Sequence, residues 1–283
     1  MNGPLKSHGG KHYLARQIVA LMPPHTHYVE AQAGGLAVFF AKPFEGISEV
    51  VNDINGDLMT FWRVLQDKKS FAEFKRRIEA VPFSEVEWQD AEQALAGLDE
   101  SVRRTDLVER AVRFFILSRQ SMAGRCQEFT PLTRTRTRRG MNEQASAWLK
   151  AIEGLTAVHA RLQRVVILNR PAIEVIRSQD GPQTLFYLDP PYLPETRSSG
   201  EVFGKFDMTE AEHEELLEVI QGLQGKVMIS GYRCPLYDAR LTKWHRHEFD
   251  VPNNAAGGVL KRRMVETVWC NFRPKSKAQK EVA

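Results

Sequence analysis

The chain has 283 residues, 42% of them hydrophobic and 26% charged, and carries a formal net charge of +4. Such a composition fits a globular protein with room for one large α/β domain plus an insert, or for two domains. No apolar stretch reaches transmembrane length and the start lacks a signal-peptide pattern. Cys126, Cys234 and Cys270 stand far apart without a CxxC step. A disulfide framework and a zinc site are thereby disfavoured, and a cytoplasmic protein with no membrane partner and no metal is expected.

In chain order, Leu5-Lys6-Ser7-His8-Gly9-Gly10-Lys11 sets a Gly-Gly pair beside the cation of Lys11. Backbone without Cβ atoms can approach a ligand closely there. A helix is predicted over residues 13–22, stopped by Pro23-Pro24. Residues 27–30 read as a first core strand, running into Ala31-Gln32-Ala33-Gly34-Gly35 and an apolar helical stretch to Ala41. Strand, glycine turn and helix is the layout of many nucleotide-cofactor sites, but two adjacent glycines make no GxGxxG, so NAD binding is not supported. Residues 49–55 read as a second strand. Asp53 near its end is placed either to take two ribose hydroxyls or to cap the helix starting near Gly56.

From residue 58 to 164 the strand signal disappears. Helices are predicted near 58–66, 70–80, 85–97, 104–118 and 142–163. In the last, Ala145, Trp148, Leu149, Ile152, Leu155 and Leu162 fall largely on one stripe. This span carries a net charge of +5 against −1 for the remainder. Between Arg110 and Gly140 eight arginines face one acid, Glu128. Arg119, Arg125, Arg134, Arg136, Arg138 and Arg139 supply donors for phosphates and guanine edges; a solvated loop is the plain alternative. The last four alternate with threonines, with no acid between Thr130 and Gly140.

The α/β pattern then resumes with a strand at 165–168 and a short helix at 172–177. Thr184-Leu185-Phe186-Tyr187-Leu188 is a nearly continuous apolar run, the mark of a strand buried on both faces in a parallel sheet. Pro190 and Pro191 cannot donate to a ladder, so pairing must end at Asp189. A carboxylate, a rigid extended backbone and the ring of Tyr192 therefore sit at the carboxyl end of a central strand, where open α/β sheets bind ligands. The Asp189 carboxylate and the Pro190 carbonyl can each accept one N–H of an exocyclic amine, and Tyr192 offers a stacking face. In a duplex such an amine is reached only by flipping the base out. A polar segment, 194–206, could close over substrate. Thr209-Glu210-Ala211-Glu212 is a capping box opening a helix. A buried strand at 226–230 and a closing antiparallel pair at 244–251 and 264–272 complete the pattern, before a charged tail.

These motifs together resemble the Dam-type (D12 class) DNA adenine-N6 methyltransferases. The resemblance covers nearly the whole chain. It rests on Leu5-Lys6-x-x-Gly9-Gly10-Lys11, on Asn52-Asp53-Ile54-Asn55-Gly56-Asp57-Leu58, and above all on Asp189-Pro190-Pro191-Tyr192. It implies an α/β fold with a seven-stranded, mainly parallel, Rossmann-like methyltransferase sheet and an inserted helical target-recognition domain. The expected organisation is a catalytic domain in two parts, 1–57 and 165–273, an insert at 58–164 and a tail at 274–283. The resemblance further implies S-adenosylmethionine as cofactor, double-stranded DNA as partner and a monomer in solution. Cofactor contacts fall on Ser7, Lys11, Glu30, Gly34, Asp53 and Asp189; the base is held by Asp189, Pro190, Pro191 and Tyr192. Ser7 stands where the family usually has an aromatic residue, and Ala31-Gln32 replaces its usual Pro-Phe pair. Alternative readings are a relative that binds DNA with weakened or lost catalysis, or amino methylation of cytosine N4 or RNA. Restriction-modification partnership, phage self-protection and regulation stay open as biological settings.

Overall fold

The computed structural model describes residues 1–6, 9–96, 106–197, 204–252 and 263–274. The first elements are α1 (Ala15–Ala20), β1 (His27–Glu30), α2 (Ala37–Ala41) and β2 (Ser48–Asn52). Helices α3 (Gly56–Gln66), α4 (Lys68–Glu79), α5 (Glu85–Ala96) and α6 (Leu107–Gln120) follow. A two-residue pair, β3 (Thr137–Arg138) and β4 (Met141–Asn142), leads into α7 (Glu143–Glu153) and α8 (Leu155–Leu162). Then come β5 (Val166–Leu168), α9 (Ala172–Ser178), β6 (Thr184–Leu188), α10 (Glu210–Gln221), β7 (Lys226–Gly231), α11 (Pro235–Arg240), β8 (His245–Pro252) and β9 (Arg263–Cys270).

Among the described residues seven strands form one sheet in the order β5-β2-β1-β6-β7-β9-β8. The β1–β2, β1–β6 and β6–β7 pairings are parallel, whereas β9 runs antiparallel to both β7 and β8. The mainly parallel seven-stranded sheet expected from the sequence is therefore present. All five side chains of β6 are buried, as its unbroken apolar run requires.

The chain divides into two compact units. One comprises residues 13–33, 41–54 and 168–283, and holds most of the sheet. On one face of that sheet Val29, Phe186, Leu188, Val227 and Ile229 pack with Val175 and Ile176 of α9 and with Leu216, Leu217 and Ile220 of α10. The side-chain period of two sends Tyr28, Glu30 and Tyr187 to the opposite face. There the Tyr28 hydroxyl donates to Glu30 Oε1 at 2.6 Å, and the Tyr187 and Ser230 hydroxyls lie 2.9 Å apart. Below Tyr28, the buried Lys42 ammonium pairs with the buried Glu49 and sits 4.4 Å from the Tyr28 ring centroid. The Thr209–Glu212 capping box is formed at the start of α10.

The other unit comprises residues 1–12, 34–40 and 55–167. Its core is aromatic: Phe61 stacks on Phe115 with centroids 5.7 Å apart, and meets Phe74 edge-on at 5.8 Å. The single helix expected over 142–163 is two, parted at Gly154. Trp148, Ile152, Leu155 and Leu162 are buried as the stripe requires, but Leu149 is 41% exposed. It follows Trp148 by one residue and so points about 100° round the helix. The capping role left open for Asp53 falls to Asn55, whose side chain accepts from the backbone N–H groups of Asp57 and Leu58.

The Lys42–Glu49 pair generates a stability prediction. Lys42→Met should cost about 3–5 kcal/mol, because it strands the Glu49 carboxylate in the interior. Adding Glu49→Leu should recover most of that loss. Urea unfolding of the single and double variants measures both; equal stability of Lys42→Met and the double variant would contradict it.

Candidate active site

In the sheet unit, three carboxylates expected at the site occupy the carboxyl ends of adjacent strands. Glu30 ends β1, opposite Tyr187 of β6. Asp53 follows β2, and Asp189 follows β6. Pro190 is buried and Asp189 half-buried. Extended alternation carries Asp189 onto the face of Tyr187, whose phenol is pushed well above its ordinary value by burial first and by the Asp189 charge second.

The loops that carry these groups are tied by Asn52, which is fully buried at the end of β2. Its Nδ2 donates to the carbonyls of Ala31 and Arg170, both at 2.9 Å, and its Oδ1 accepts from the Arg170 N–H at 2.9 Å. Asn169 Nδ2 donates to the Asp53 carbonyl at 2.6 Å. One buried amide thus links the loops after β1, β2 and β5. Gln32, where the family has an aromatic, donates to Met208 Sδ at 3.4 Å while its Oε1 is buried without a hydrogen bond.

Tyr192 is half-buried with its hydroxyl inside, donating to Glu266 Oε2 at 2.6 Å. The Tyr13 hydroxyl donates to the other oxygen of the same carboxylate at 3.4 Å. The Tyr232 ring meets Tyr192 edge-on, centroids 4.8 Å apart and planes at 74°. Behind the motif, buried His213 of α10 contacts the Tyr237 hydroxyl at 2.9 Å. Burial lowers its pKa to about 4 against the opposing pull of the Pro191 backbone, so the ring is neutral at pH 7. Glu266 and Tyr13 carry no motif in the sequence, and Asn52 stands in one only as the first residue of Asn52-Asp53-Ile54-Asn55. A signal existed for Glu266, a charged residue heading the buried run from Glu266 to Cys270.

The remaining expected residues lie in the helical unit, except Ser7, which is outside the described residues together with 198–203 of the polar segment and 275–283 of the tail. Lys11 is buried and folds back to donate to the Gly9 carbonyl at 2.8 Å. Gly34 adopts φ +48° with its carbonyl accepting from Trp62 Nε1 at 3.2 Å, and a Cβ added there would meet no atom within 4 Å. Its backbone therefore borders open space.

Arg119 donates to the Ala147 carbonyl at 3.0 Å, and burial lowers it to about 10. Lys6 is lowered to about 8, by burial and then by the Arg119 charge. Two partly buried cations thus face one another. The Lys6 backbone packs against Gly124, at φ +71°, where a Cβ would collide with the Lys6 carbonyl oxygen; Ser118 Oγ also donates to that carbonyl at 2.8 Å. Lys6 went unnoticed in the sequence, though it lies inside the first motif. Arg125 lies at the end of the short 3-10 turn Met122–Gly124, half-buried.

Arg134, Arg136, Arg138 and Arg139 are exposed, Arg138 and Arg139 being carried by the β3–β4 hairpin and its turn. The lack of an acid within the stretch does not leave all four unneutralised. Arg139 forms a two-pronged pair with Glu153 at 2.7 and 3.1 Å, and Arg136 approaches Glu143 at 3.7 Å. Both partners are on α7, beyond the acid-free stretch from Thr130 to Gly140.

Among the described residues no group of three His, Cys, Asp or Glu side chains forms a metal site, and no helix is long and apolar enough to cross a membrane. A solved structure described as a SAM-dependent methyltransferase from Agrobacterium tumefaciens is similar over 92% of this chain and 61% of its own, at 10% identity and TM-score 0.34. The chain thus spans about three fifths of that protein's length. No curated protein gives a significant match in sequence. Residues 7–253 match the D12 class of N6 adenine-specific DNA methyltransferases, and with most of its length aligned on that pattern the chain belongs to this family.

Proposed function

We propose that this protein methylates the exocyclic N6 of adenine in double-stranded DNA, acting on a base turned out of the duplex. The observation that carries this reading is Asp189-Pro190-Pro191-Tyr192 at the carboxyl end of the fully buried β6, in a chain of this family. S-adenosylmethionine, when bound, supplies a methyl carbon made electrophilic by its sulfonium. The donor set supports it: Asp53 would take ribose hydroxyls, and Glu30 and Asp189 would offer carboxylate oxygens at neighbouring strand ends. Ser7, Lys11 and Gly34 stay cofactor candidates on the family pattern.

Asp189 and the Pro190 carbonyl each accept one N–H of the amine. That leaves the nitrogen lone pair directed away from them, toward the methyl donor. As the amine becomes a bond-forming nucleophile it gains positive charge, which a fixed carboxylate and a fixed carbonyl dipole favour. The new N–C bond would be matched by loss of the donor's C–S bond, leaving a neutral thioether, and the nitrogen would shed one proton to solvent. No covalent enzyme intermediate is required, and much of the acceleration comes from holding the reacting atoms in line. Tyr192 supplies the face on which the base rests.

The helical unit is proposed to grip DNA through Arg119, Arg125, Arg134, Arg136, Arg138 and Arg139, joined by Lys6. A paired, partly buried Lys6 and Arg119 are a costly arrangement that an anionic partner relieves. The protein works wherever the cell holds its DNA. Restriction partnership, phage self-protection and regulation are the settings such a mark serves.

Base-resolved sequencing of DNA from an expressing host tests the reaction. N6-methyladenine at a defined site is expected; N4-methylcytosine, methylated RNA alone or no mark would overturn the assignment. Asp189→Ala should lower single-turnover methylation by at least about a hundredfold, the scale of losing one preorganised polar contact. A wild-type rate in that variant would remove Asp189 from the chemistry.

Salt dependence tests the arginines. Each cation on a phosphate adds about one unit to the slope of log affinity against log salt. Arg134→Ala with Arg138→Ala should flatten the slope by about two units. Arg136→Ala with Arg139→Ala should flatten it less, because Glu143 and Glu153 already neutralise part of that charge. Equal changes for both pairs would show that the carboxylates let go on binding.

The pH dependence of DNA affinity tests Lys6. Folded Lys6 is charged below about pH 8 and loses its proton above it, so affinity should fall as pH rises through that range. Lys6→Met should abolish the fall. Folding stability moves the other way: the unfolded chain holds the Lys6 proton up to about pH 10.4, so the site's unfavourable contribution fades between about pH 8 and 10.

A further inference from the structure

We propose that Glu266 is a positioning residue for base capture, holding Tyr192 as a preset stacking platform. The inference rests on the reading of Tyr192 just given and deepens it. Glu266 lies on β9, opposite Phe249 of β8, and is 3% exposed. A buried carboxylate is costly unless its oxygens are hydrogen-bonded. Here two phenols serve it from distant parts of the chain, Tyr192 on Oε2 at 2.6 Å and Tyr13 on Oε1 at 3.4 Å.

The short Tyr192 contact is charge-assisted, the stronger class of hydrogen bond. It fixes the far end of the ring, while the Tyr232 ring packs against it with planes at 74°. With the hydroxyl tied and Tyr232 packed against it, the ring has little freedom left, so a docking base would meet a ring already held. Burial first, then the Glu266 charge, then the Asp189 charge hold the Tyr192 phenol protonated well above its ordinary range. The hydroxyl is therefore a committed donor to Glu266 and no acceptor for the proton leaving N6. A ring already set loses less conformational freedom when the base docks, which is how preorganisation strengthens binding.

The test uses the full chain with a duplex carrying 2-aminopurine at the target adenine found by sequencing, whose fluorescence reads base capture. Glu266→Gln removes the charge and keeps the shape; Tyr192→Phe removes the hydroxyl and keeps the ring. Each should weaken capture and raise the KM for DNA by roughly tenfold, the scale of one charged hydrogen bond. Saturating kcat should change much less, and S-adenosylmethionine affinity by calorimetry should stay within about twofold, since neither group is assigned to the cofactor. The double variant should be no worse than the poorer single, because both break one tether. Unchanged capture in folded Glu266→Gln, or a double variant whose losses multiply, would overturn the proposal; the second result would mean that Glu266 meets the base directly. Should Glu266→Gln lose its thermal transition, Tyr192→Phe decides alone, and a silent Tyr192→Phe overturns the tether. A wild-type protein that neither captures the base nor methylates adenine would overturn the functional reading and this inference together, whereas normal wild-type behaviour beside silent variants overturns only the inference.

Discussion

Two consecutive prolines after a strand buried on both faces impose the arrangement on which the rest of the sheet unit depends. Pro190 and Pro191 have no backbone N–H to give, so β6 must stop pairing at its carboxyl end. Its five buried side chains demand cover above and below, which places it between β1 and β7 in the middle of the sheet. Asp189 is then held at a central strand end on a backbone with fixed φ angles. A carboxylate there needs neighbours that hold the adjoining loops still, and Asn52 supplies them with three hydrogen bonds from one buried amide.

The electrostatics of the two units differ in kind. In the sheet unit, buried carboxylates are each met by a phenol or an ammonium: Glu30 by Tyr28, Glu49 by Lys42, Glu266 by Tyr192 and Tyr13. Burial makes those contacts strong, because little water screens them. In the helical unit, exposed cations dominate, and their pairs with Glu143 and Glu153 are solvated and individually weak. Weak exposed pairs would suit the phosphate-exchanging surface proposed for these arginines. Strong buried pairs suit a site that must not move.

The polar face of the sheet also explains the tyrosine content near the motif. Tyr28, Tyr187 and Tyr192 bring apolar rings that fill the layer and hydroxyls that satisfy buried acceptors. Phenylalanine in place of Tyr28 or Tyr192 would take one donor from Glu30 or Glu266, and in place of Tyr187 it would take a hydrogen-bond partner from Ser230.

Much of this was determined by the sequence alone, wherever the cause was local. The apolar run ended by prolines placed β6 and Asp189, the capping box placed α10, and helical periodicity placed α3 to α8 within a few residues, because propensity, capping and period act over a handful of positions. Local signals also misled at their limits: the stripe through Leu149 ran one residue too wide, and a helix continuous on paper breaks at Gly154. Tertiary structure alone decided the rest. It brought Glu266 to Tyr192 across 74 positions and Tyr13 to Glu266 across 253. It set Lys6 against Arg119, and turned Glu143 and Glu153 toward Arg136 and Arg139. Such pairings depend on which distant segments the packed sheet and helices bring within about 3 Å, and no periodicity in the chain encodes that distance.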